Sequence, residues 1–366
     1  MSKPRVLALY LPQYHPTPDN DRWWGKGFTE WTNVGKAKKW YPGHDQPKVP
    51  ADLGYYDLRL PEVREAQAEL AKEAGVEAFC YYHYWFGDGK EELDLPFKEV
   101  LRTGRPNFPF CLCWANESWY SKFWNMDGVA QKKNLIEQTY PGDDDIIKHF
   151  YSLLPAFRDN RYVKVDGRLF FMIYMPLEYP EVTHFIKLWN NLARINDLGS
   201  FYFVGSLVHG DDVTVDNIDR VISLGFDAVN VVGLFRATHK RRSLMSRTLH
   251  KILNRPYVLK YKSILPDLIT ESDNRPDVIP TIIPNWDHSP RSGASGVVVA
   301  GATGELFKDL IHKAIDIVKQ REEPIIILKS WNEWGEGNYM EPDIRNGNLY
   351  IRALREVLDE ESQSAE

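Results

Sequence analysis

The stretch IIILKSWNEWGEG at residues 325–337 joins an apolar run to a segment in which tryptophan alternates with amide and carboxyl side chains. A nearly continuous apolar run such as Ile325–Ser330 is typical of a parallel strand that is buried on both faces. Directly after it come two glutamates, Glu333 and Glu336, three positions apart. The stretch therefore predicts a strand that delivers a pair of carboxyl groups to one edge of a parallel sheet.

Seven similar apolar runs precede this strand, and amphipathic stretches separate them. The predicted strands are Val6–Tyr10, Val76–Tyr82, Phe108–Trp114, Leu169–Tyr174, Phe201–Ser206, Ala228–Val232, Ile279–Pro284 and Ile325–Ser330. The predicted helices are Pro61–Ala74, Pro96–Thr103, Asp144–Phe157, Pro180–Asn196, Thr214–Leu224 and Glu305–Lys319. This alternation predicts an α/β fold, a single (β/α)8 TIM barrel with long loops at the C-terminal face. An open doubly wound sheet is less consistent, because the turn at residues 11–16 lacks the glycines of a phosphate-binding loop.

The length of 366 residues fits either two domains or one barrel with long loops, and the strand count favours one barrel. We assign residues 1–358 to the barrel and residues 359–366 to a polar tail that we expect to fray. Residues 234–276 are rich in Lys and Arg and form a basic insertion. We expect this insertion to be solvated and to contain one or two helices, or else to meet an anionic partner or a membrane surface.

The overall composition excludes several classes of protein. A net charge of −6 does not fit a general nucleic-acid binder. No run of about 18 apolar residues is present, so we expect no transmembrane segment. The N-terminal apolar run is too short for a signal peptide, which makes the cytoplasm the expected compartment. Cys80, Cys111 and Cys113 lack the spacing of a zinc site, so we expect neither a metal nor another cofactor.

The chain is rich in aromatic residues, with 12 Trp and 19 Tyr. Most of the tryptophans follow predicted strands, where barrel enzymes collect their catalytic residues. Aromatic rings can cover the apolar C–H face of a sugar, while amide, imidazole and carboxyl groups bind its hydroxyls. The candidate residues for binding a carbohydrate substrate are Gln13, Tyr14, His15, Trp24, Glu30, Trp31, His83, Tyr84, Trp85, Trp114, Asn116, Glu117, Trp119, Tyr174, His209, Asn285, Trp286, Asp287, Trp331, Asn332 and Trp334. We expect exposed rings around one cleft at Trp24, Trp85, Trp119, Trp286 and Trp334.

Glu333 and Glu336 are the candidate catalytic residues. Cleavage of a glycosidic bond commonly uses one protonated carboxyl as acid and one carboxylate as nucleophile or base. The neighbouring Trp331 and Trp334 could raise one pKa by excluding water, and each carboxylate raises the pKa of the other. Retaining enzymes place the two groups about 5 Å apart and inverting enzymes about 6.5–9.5 Å, and a step of three residues permits both.

Six segments of the chain resemble the WbsX-type proteins of polysaccharide gene clusters, which are also described as glycoside hydrolase family 99-like. The segments are YLPQYH at 10–15, WWGKGFTEWTN at 23–33, YYHYW at 81–85, CWANE at 113–117, PNWD at 284–287 and WNEWGEG at 331–337. The resemblance implies a relative of the family 99 endo-α-mannosidases, which are retaining (β/α)8 hydrolases without a metal cofactor. The substrate that it implies is a polysaccharide or another glycan.

The same resemblance implies roles for the two glutamates. The residue matching Glu333 deprotonates the sugar 2-OH, which attacks C1 and forms a 1,2-anhydro sugar. The residue matching Glu336 acts as general acid and then as base for the incoming water. The mannosidases commonly carry His where this chain has Gly335, so the resemblance does not extend to mannose specificity.

Two other functions stay open. WbsX-type proteins are also described as glycosyltransferases, so the chain could build a polysaccharide of the O-antigen or capsule type. Such a transferase is expected to show an open nucleotide-binding sheet and often an Asp-x-Asp motif. Asp143–Asp145 formally contains that motif, but its place at a predicted helix start indicates capping. The third hypothesis is a non-catalytic carbohydrate-binding protein, although binding alone does not require two adjacent carboxyl groups.

Overall fold

A computed structural model describes residues 3–124, 130–210 and 212–364. At its centre is a sheet of eight parallel strands, built from aliphatic and aromatic residues that are largely buried on both faces. In chain order the strands are β1 Arg5–Tyr10, β2 Ala78–Trp85, β3 Phe110–Trp114, β4 Arg168–Ile173, β5 Phe201–Leu207, β6 Ala228–Val231, β7 Val278–Ile282 and β8 Ile325–Leu328.

The first strand closes this sheet into a barrel. Leu7 of β1 is paired with Ile327 of β8 on one side and with Ala78 of β2 on the other. Each remaining strand pairs in parallel with the next one along the chain. The prediction of a single (β/α)8 TIM barrel is confirmed, and its strand ends lie within three residues of the observed ones.

Helices alternate with the barrel strands. The first long helix begins at Pro61 and ends at Gly75, which has the left-handed φ of 83° that favours glycine. The long helices outside the basic insertion are Pro61–Ala74, Leu95–Thr103, Asp143–Phe157, Val182–Ile195, Val215–Ser223, Gly304–Val318 and Leu349–Ser364. Shorter α-helices span Pro18–Trp24, Glu30–Gly35 and Ser289–Ser292. Within the described ranges, none of the helices combines the length and the apolar character needed to cross a membrane.

The basic insertion connects β6 to β7 and has more structure than the sequence indicates. Instead of one or two helices it contains three, Leu234–Lys240, Leu244–Leu253 and Tyr261–Leu268. A strand, Tyr257–Lys260, pairs with Val297–Ala300, which pairs in turn with Trp286–Asp287. The insertion is thus joined by a small sheet to the loop that follows β7.

Two further elements differ from the sequence prediction. Trp119–Trp124 and Ala130–Ile136 form an antiparallel hairpin after β3. The C-terminal helix continues to Ser364, within the stretch that we expect to fray. An ion pair of 2.8 Å between Arg355 and Asp359, one helical turn apart, supports these last turns.

Candidate active site

An open cavity of about 760 Å³ lies at the carboxyl ends of the barrel strands. Its volume is in the range of small-molecule binding sites. Residues at or beyond the ends of β1, β2, β3, β4, β5, β7 and β8 surround it, as expected for a barrel enzyme. The lining residues are Leu11, Gln13, Asn20, Trp24, Tyr82, Tyr84, Ala115, Glu117, Ser118, Trp119, Tyr120, Leu135, Tyr174, Glu178, His209, Arg291, Lys329, Glu333 and Glu336.

The glutamate pair lies on a tight turn after β8. Asn332–Glu333 pairs with Asn338–Tyr339, and a single 3-10 turn, Trp334–Glu336, connects them. The turn brings both carboxyl groups to the ammonium of Lys329, the residue that follows β8. Lys329 Nζ lies 3.3 Å from Glu333 Oε1 and 3.4 Å from Glu336 Oε2. The spacing of three residues therefore places the two carboxyl groups side by side.

A second cation, Arg291, contacts the same pair. Its Nη1 donates to Glu336 Oε1 at 2.6 Å and lies 3.5 Å from Glu333 Oε2. Its Nε donates to Glu30 Oε1 at 2.8 Å, and Glu30 is buried at the start of the helix Glu30–Gly35. Arg291 thus connects three carboxyl groups, two from the turn after β8 and one from the loop after β1.

Gly335 leaves the space that this arrangement needs. A Cβ atom at this position would lie 1.6 Å from Glu30 Oε1 and 3.1 Å from Arg291 Nε. Any side chain here would therefore displace Glu30 or Arg291 from the contacts described above. Gly335 is thus coupled to the Glu30–Arg291 ion pair.

The two glutamates carry unequal charge. Burial and the nearby Glu336 raise the pKa of Glu333 to about 7. Burial also acts to raise the pKa of Glu336, but Lys329 and Arg291 outweigh it and lower that pKa well below its ordinary value. Below about pH 7 the pair therefore binds one proton, which resides on Glu333 in the unliganded site.

Another wall of the cavity carries aromatic rings and a third carboxyl group. The rings of Tyr84 and Trp119 meet edge to face with centroids 5.0 Å apart, and Trp24 is 38% exposed. Glu117 Oε1 lies 3.9 Å from His209 Nε2, and burial raises the pKa of Glu117. This wall presents ring surfaces together with hydrogen-bonding groups, the combination that a sugar requires.

The structure brings nine of the predicted site residues to the cavity: Gln13, Trp24, Tyr84, Glu117, Trp119, Tyr174, His209, Glu333 and Glu336. Glu30 joins them indirectly, through Arg291. The other predicted residues do not line it: Tyr14, His15, Trp31, His83, Trp85, Trp114, Asn116, Asn285, Trp286, Asp287, Trp331, Asn332 and Trp334. Their contacts show what these residues bind within the protein.

The alternation of side chains along β2 explains why His83 and Trp85 do not line the cavity. Tyr82 and Tyr84 face the cavity, so the residues next to them face the opposite side of the strand. His83 meets His149 there, with 2.8 Å between the two Nε2 atoms, and the Trp85 indole donates to Asp145 at 3.0 Å. Both contacts are with the helix Asp143–Phe157, on the outside of the barrel.

Three of the five tryptophans expected at the cleft are buried instead. Trp85, Trp286 and Trp334 are 2%, 3% and 0% exposed, so only Trp24 and Trp119 of the five expected rings line the cavity. The ring of Trp334 stacks on Tyr339 at a centroid distance of 3.8 Å, and its indole donates to a buried carboxyl. The Trp334 ring thus fills space behind the turn and supports it.

The predicted amides and Asp287 bind protein groups. Asn332 Oδ1 accepts from the Leu11 amide at 2.7 Å, and Asn116 Oδ1 accepts from the Met175 amide at 2.8 Å. Asn285 and Asp287 likewise contact other loops. Backbone groups in buried loops need such partners because they have no ladder of their own. Among the remaining predicted residues, His15 is buried and Trp331 packs on Phe79. The Trp31 indole donates to Tyr56 O, and the Trp114 indole donates to Trp85 O. The Tyr14 hydroxyl contacts Asn332 O.

Sequence reasoning missed Tyr82 and both cations of the site. The signal for Lys329 was present, since a polar residue interrupts an apolar strand four positions before Glu333. Arg291 had no comparable signal, because its place depends on how the loop after β7 packs on the turn after β8. Arg291 and Glu30 lie far apart in the sequence, so no local pattern indicates their contact.

The Asp143–Asp145 run does not line the cavity. It forms the first turn of a helix whose N-cap is Gly142, so the capping role predicted for it is wrong in detail. Asp143 contacts His184 at 2.7 Å, and Asp145 accepts from Trp85. Acidic groups in a first helical turn are stabilised by the helix dipole.

Comparison with known sequences covers nearly the whole chain. The family model described as "Glycosyltransferase WbsX" matches residues 6–354. The chain is 34% identical over 358 residues to "Uncharacterized protein WxcX" from two strains of Xanthomonas campestris pv. campestris. This match covers 96% of the chain and 49% of the relative, so the chain spans about half the length of the curated relatives it matches.

Comparison with solved structures shows the same barrel. The GH99 endo-alpha-mannosidase from Bacteroides thetaiotaomicron in complex with BIS-TRIS-propane has a TM-score of 0.59 at 13% identity, covering 99% of this chain and 98% of the enzyme. A "Glycoside hydrolase-like protein" has a TM-score of 0.60 at 14% identity, with coverage of 98% and 94%. At these identities the likeness shows the fold. Because the WbsX family model extends from β1 into the C-terminal helix and includes the glutamate turn, the chain belongs to the family described as "Glycosyltransferase WbsX".

Proposed function

We propose that this chain is a retaining glycoside hydrolase acting on a polysaccharide or another glycan, with Glu333 as base and Glu336 as general acid and base. The observation that carries the proposal is the pair of carboxyl groups itself. Two carboxyl groups with opposite pKa shifts share two cations at an aromatic-lined cavity. Carboxyl pairs whose pKa values are separated by their surroundings are typical of acid–base catalysis.

The substrate is held by the residues that line the cavity. Trp24, Trp119 and Tyr84 offer ring surfaces to the apolar face of a sugar, while Glu117 and His209 bind its hydroxyls. The buried aromatic and amide residues behind the turn do not touch the glycan. They position the turn that carries the pair.

The first chemical step needs an ionised Glu333 and a protonated Glu336, the reverse of the unliganded site. A sugar 2-OH that donates to Glu333 stabilises the charge on Glu333, and the single proton of the pair then moves to Glu336. Glu333 takes the proton of the 2-OH as O2 bonds to C1. The bond from C1 to the leaving oxygen breaks, and that oxygen receives the proton of Glu336.

The second step restores the enzyme. Glu336, now ionised, takes a proton from water while the water oxygen bonds to C1. The O2–C1 bond breaks, and O2 recovers its proton from Glu333. With one proton on the pair, one glutamate of the pair is ionised before and after the reaction, and Lys329 and Arg291 lie against it in both forms.

A polysaccharide panel tests the proposal. We expect the wild type to cleave at least one polysaccharide of the panel. NMR should show that the product has the same anomeric configuration as the bond that was broken. Glu333→Gln and Glu336→Gln should each abolish cleavage, while Glu69→Gln, an exposed surface change, should not. An inverted product, or full activity in either cavity variant, would overturn the assignment.

The second candidate is a glycosyltransferase, which the name of the family favours. Nucleotide sugars carry a diphosphate, and the two cations that line the cavity, Lys329 and Arg291, are already paired with carboxylates. Calorimetric titration with nucleotide sugars, with and without Mn²⁺, separates the two candidates. Clear saturable binding would favour the transferase, and its absence alongside glycan cleavage would favour the hydrolase.

A further inference from the structure

The helix Leu244–Leu253 in the basic insertion exposes large apolar side chains to solvent. Leu244, Ile252 and Leu253 are 83%, 73% and 54% exposed. Among the described residues, three of the twelve exposed large hydrophobic side chains lie on this one helix of ten residues. Clustered exposed apolar groups of this kind commonly mark an interaction surface.

The chain around this helix has an extreme charge distribution. Residues 236–262, the basic segment, hold nine Lys or Arg and no Asp or Glu. Because the whole chain has a net charge of −6, all other residues together carry −15. Lys240 and Arg241 are neutralised by Asp267, at 2.7 Å and 2.5 Å. No carboxylate in the described part of the chain pairs with Arg247, Lys251, Lys260 or Lys262.

The apolar and basic side chains form neighbouring rows on the helix. Leu244, Thr248 and Ile252 follow one another at intervals of four residues, and so do Arg247 and Lys251, so each set lies along one row. Leu249 and His250 are the half-buried members and face the protein, where the His250 ring stacks on Tyr257 at 4.0 Å. The outward surface therefore combines an apolar row with a cationic row.

The basic segment is connected to the candidate active site. Its strand Tyr257–Lys260 belongs to the same small sheet as Trp286–Asp287. His288, the next residue, has its Nε2 3.5 Å from Glu336 Oε1. A partner that binds the basic segment would consequently lie next to the cavity.

We propose that the helix Leu244–Leu253 lies in the plane of an anionic phospholipid bilayer surface. The apolar row enters the boundary between headgroups and acyl chains, and Arg247 and Lys251 meet lipid phosphates. An acidic protein or polysaccharide would pair with the cations but would leave the apolar row in water. Both rows are explained together by a membrane surface, and this inference does not depend on the chemistry of the cavity.

Vesicle flotation of the complete chain tests the inference. We expect binding to phosphatidylcholine vesicles that contain about one third phosphatidylglycerol and little binding to phosphatidylcholine alone. Leu244→Ser with Ile252→Ser, and separately Arg247→Glu with Lys251→Glu, should each weaken binding by about tenfold or more. All four side chains are solvent-facing, and circular dichroism and thermal unfolding verify that the variants fold.

Matched controls lie on the helix Val182–Ile195, which exposes Lys187, Arg194 and Ile195. Lys187→Glu with Arg194→Glu, and Ile195→Ser, should leave vesicle binding unchanged. Three results would overturn the inference: no binding of the wild type to anionic vesicles, equal losses in the control variants, or loss with the charge reversals but not with the serine variant. The last result would indicate a soluble acidic polymer instead.

Discussion

The glutamate pair Glu333 and Glu336 forms one set, and the single buried Glu341 forms a second. The two sets lie close together in the sequence and behave differently. Burial raises the pKa of both Glu333 and Glu341 to about 7. Glu333 faces the cavity beside Glu336 and two cations, whereas Glu341 does not line the cavity. Glu341 accepts only from neutral groups, namely Trp334 Nε1 at 2.6 Å, Gln67 Nε2 at 2.6 Å and Tyr56 OH at 2.9 Å.

This difference shows that a raised pKa does not by itself identify a catalytic carboxyl group. What distinguishes Glu333 is access to a ligand and an adjacent carboxyl group that can exchange a proton with it. Glu341 instead ties together three elements of the scaffold through neutral donors. Experiments on the two sets should therefore separate activity from stability.

The largest expected effect is on turnover. Glu333→Gln and Glu336→Gln should each lower the rate by about 10²–10⁴-fold, because each removes the general base or the general acid of the proposed mechanism. Glu333→Gln should unfold at nearly the wild-type urea concentration, since the wild-type side chain is already neutral. Glu341→Gln is the matched control, and its folded fraction should retain turnover. Loss of turnover there would contradict the distinction drawn between the two sets.

The next effect is on stability as a function of pH. The folded protein binds a proton at Glu341 more tightly than the unfolded chain does, since the pKa rises from 4.5 to about 7 on folding. The resulting stabilisation is complete below about pH 4 and is lost as pH rises through about 7, a change of about 3 kcal/mol. Glu333 contributes in the same direction, so urea unfolding of the wild type and of Glu341→Gln at pH 5 and pH 8 is needed to isolate the contribution of Glu341.

The Gln side chain of Glu341→Gln cannot bind the proton that stabilises the wild type. The free energy of unfolding of the variant should therefore lie furthest below that of the wild type at pH 5 and less far below it at pH 8. Glu69→Gln, a change at an exposed surface position, is the matched control for this comparison. A stability difference between Glu341→Gln and wild type that stays constant with pH would show that Glu341 has an ordinary pKa.

A smaller effect is expected from Gly335→Ala. The added Cβ must displace Glu30, which should destabilise the fold by about 2 kcal/mol and loosen Arg291 from the pair. Gly35→Ala is the matched control, because nothing lies within 4 Å of its Cβ and its φ is ordinary. We expect thermal unfolding to shift for the first variant and to stay near wild type for the second. Equal shifts would remove the proposed link between Gly335 and the Glu30–Arg291 ion pair.

The smallest effect is a pH dependence of the catalytic rate. Above about pH 7 the pair loses its single proton, so kcat/KM should fall by about tenfold per pH unit. An aryl glycoside with a good leaving group needs no general acid and should show a weaker decline. A rate that rises through this range would place the catalytic proton elsewhere.

Regular elements were predictable where one local pattern decides them. The helix Pro61–Ala74 was placed at its observed ends because proline and glycine bound it. The eight strands were recognisable as apolar runs between amphipathic stretches. The hairpin at Trp119–Trp124 and Ala130–Ile136 was missed, since its residues do not form a continuous apolar run.

Site residues were predictable to the extent that they follow strands. Glu333, Glu336 and Glu117 come directly after strand ends, and all three reach the cavity. His83 and Trp85 also lie at a strand end but face outward, because side chains alternate along a strand. The sequence pattern did not show which of the alternating residues point into the barrel. The sequence predicts Asn332 as a sugar ligand, whereas in the structure its Oδ1 accepts from the backbone amide of Leu11.

The sequence by itself determined the barrel and the presence of a carboxyl pair after its last strand, because apolar periodicity and a spacing of three residues are local properties. Only the tertiary structure decided the charge of that pair. Arg291 and Glu30 arrive from the loops after β7 and β1, and Gly335 leaves the space in which they meet. The position of the single proton depends on burial and on these distant charges, which no local stretch of sequence contains.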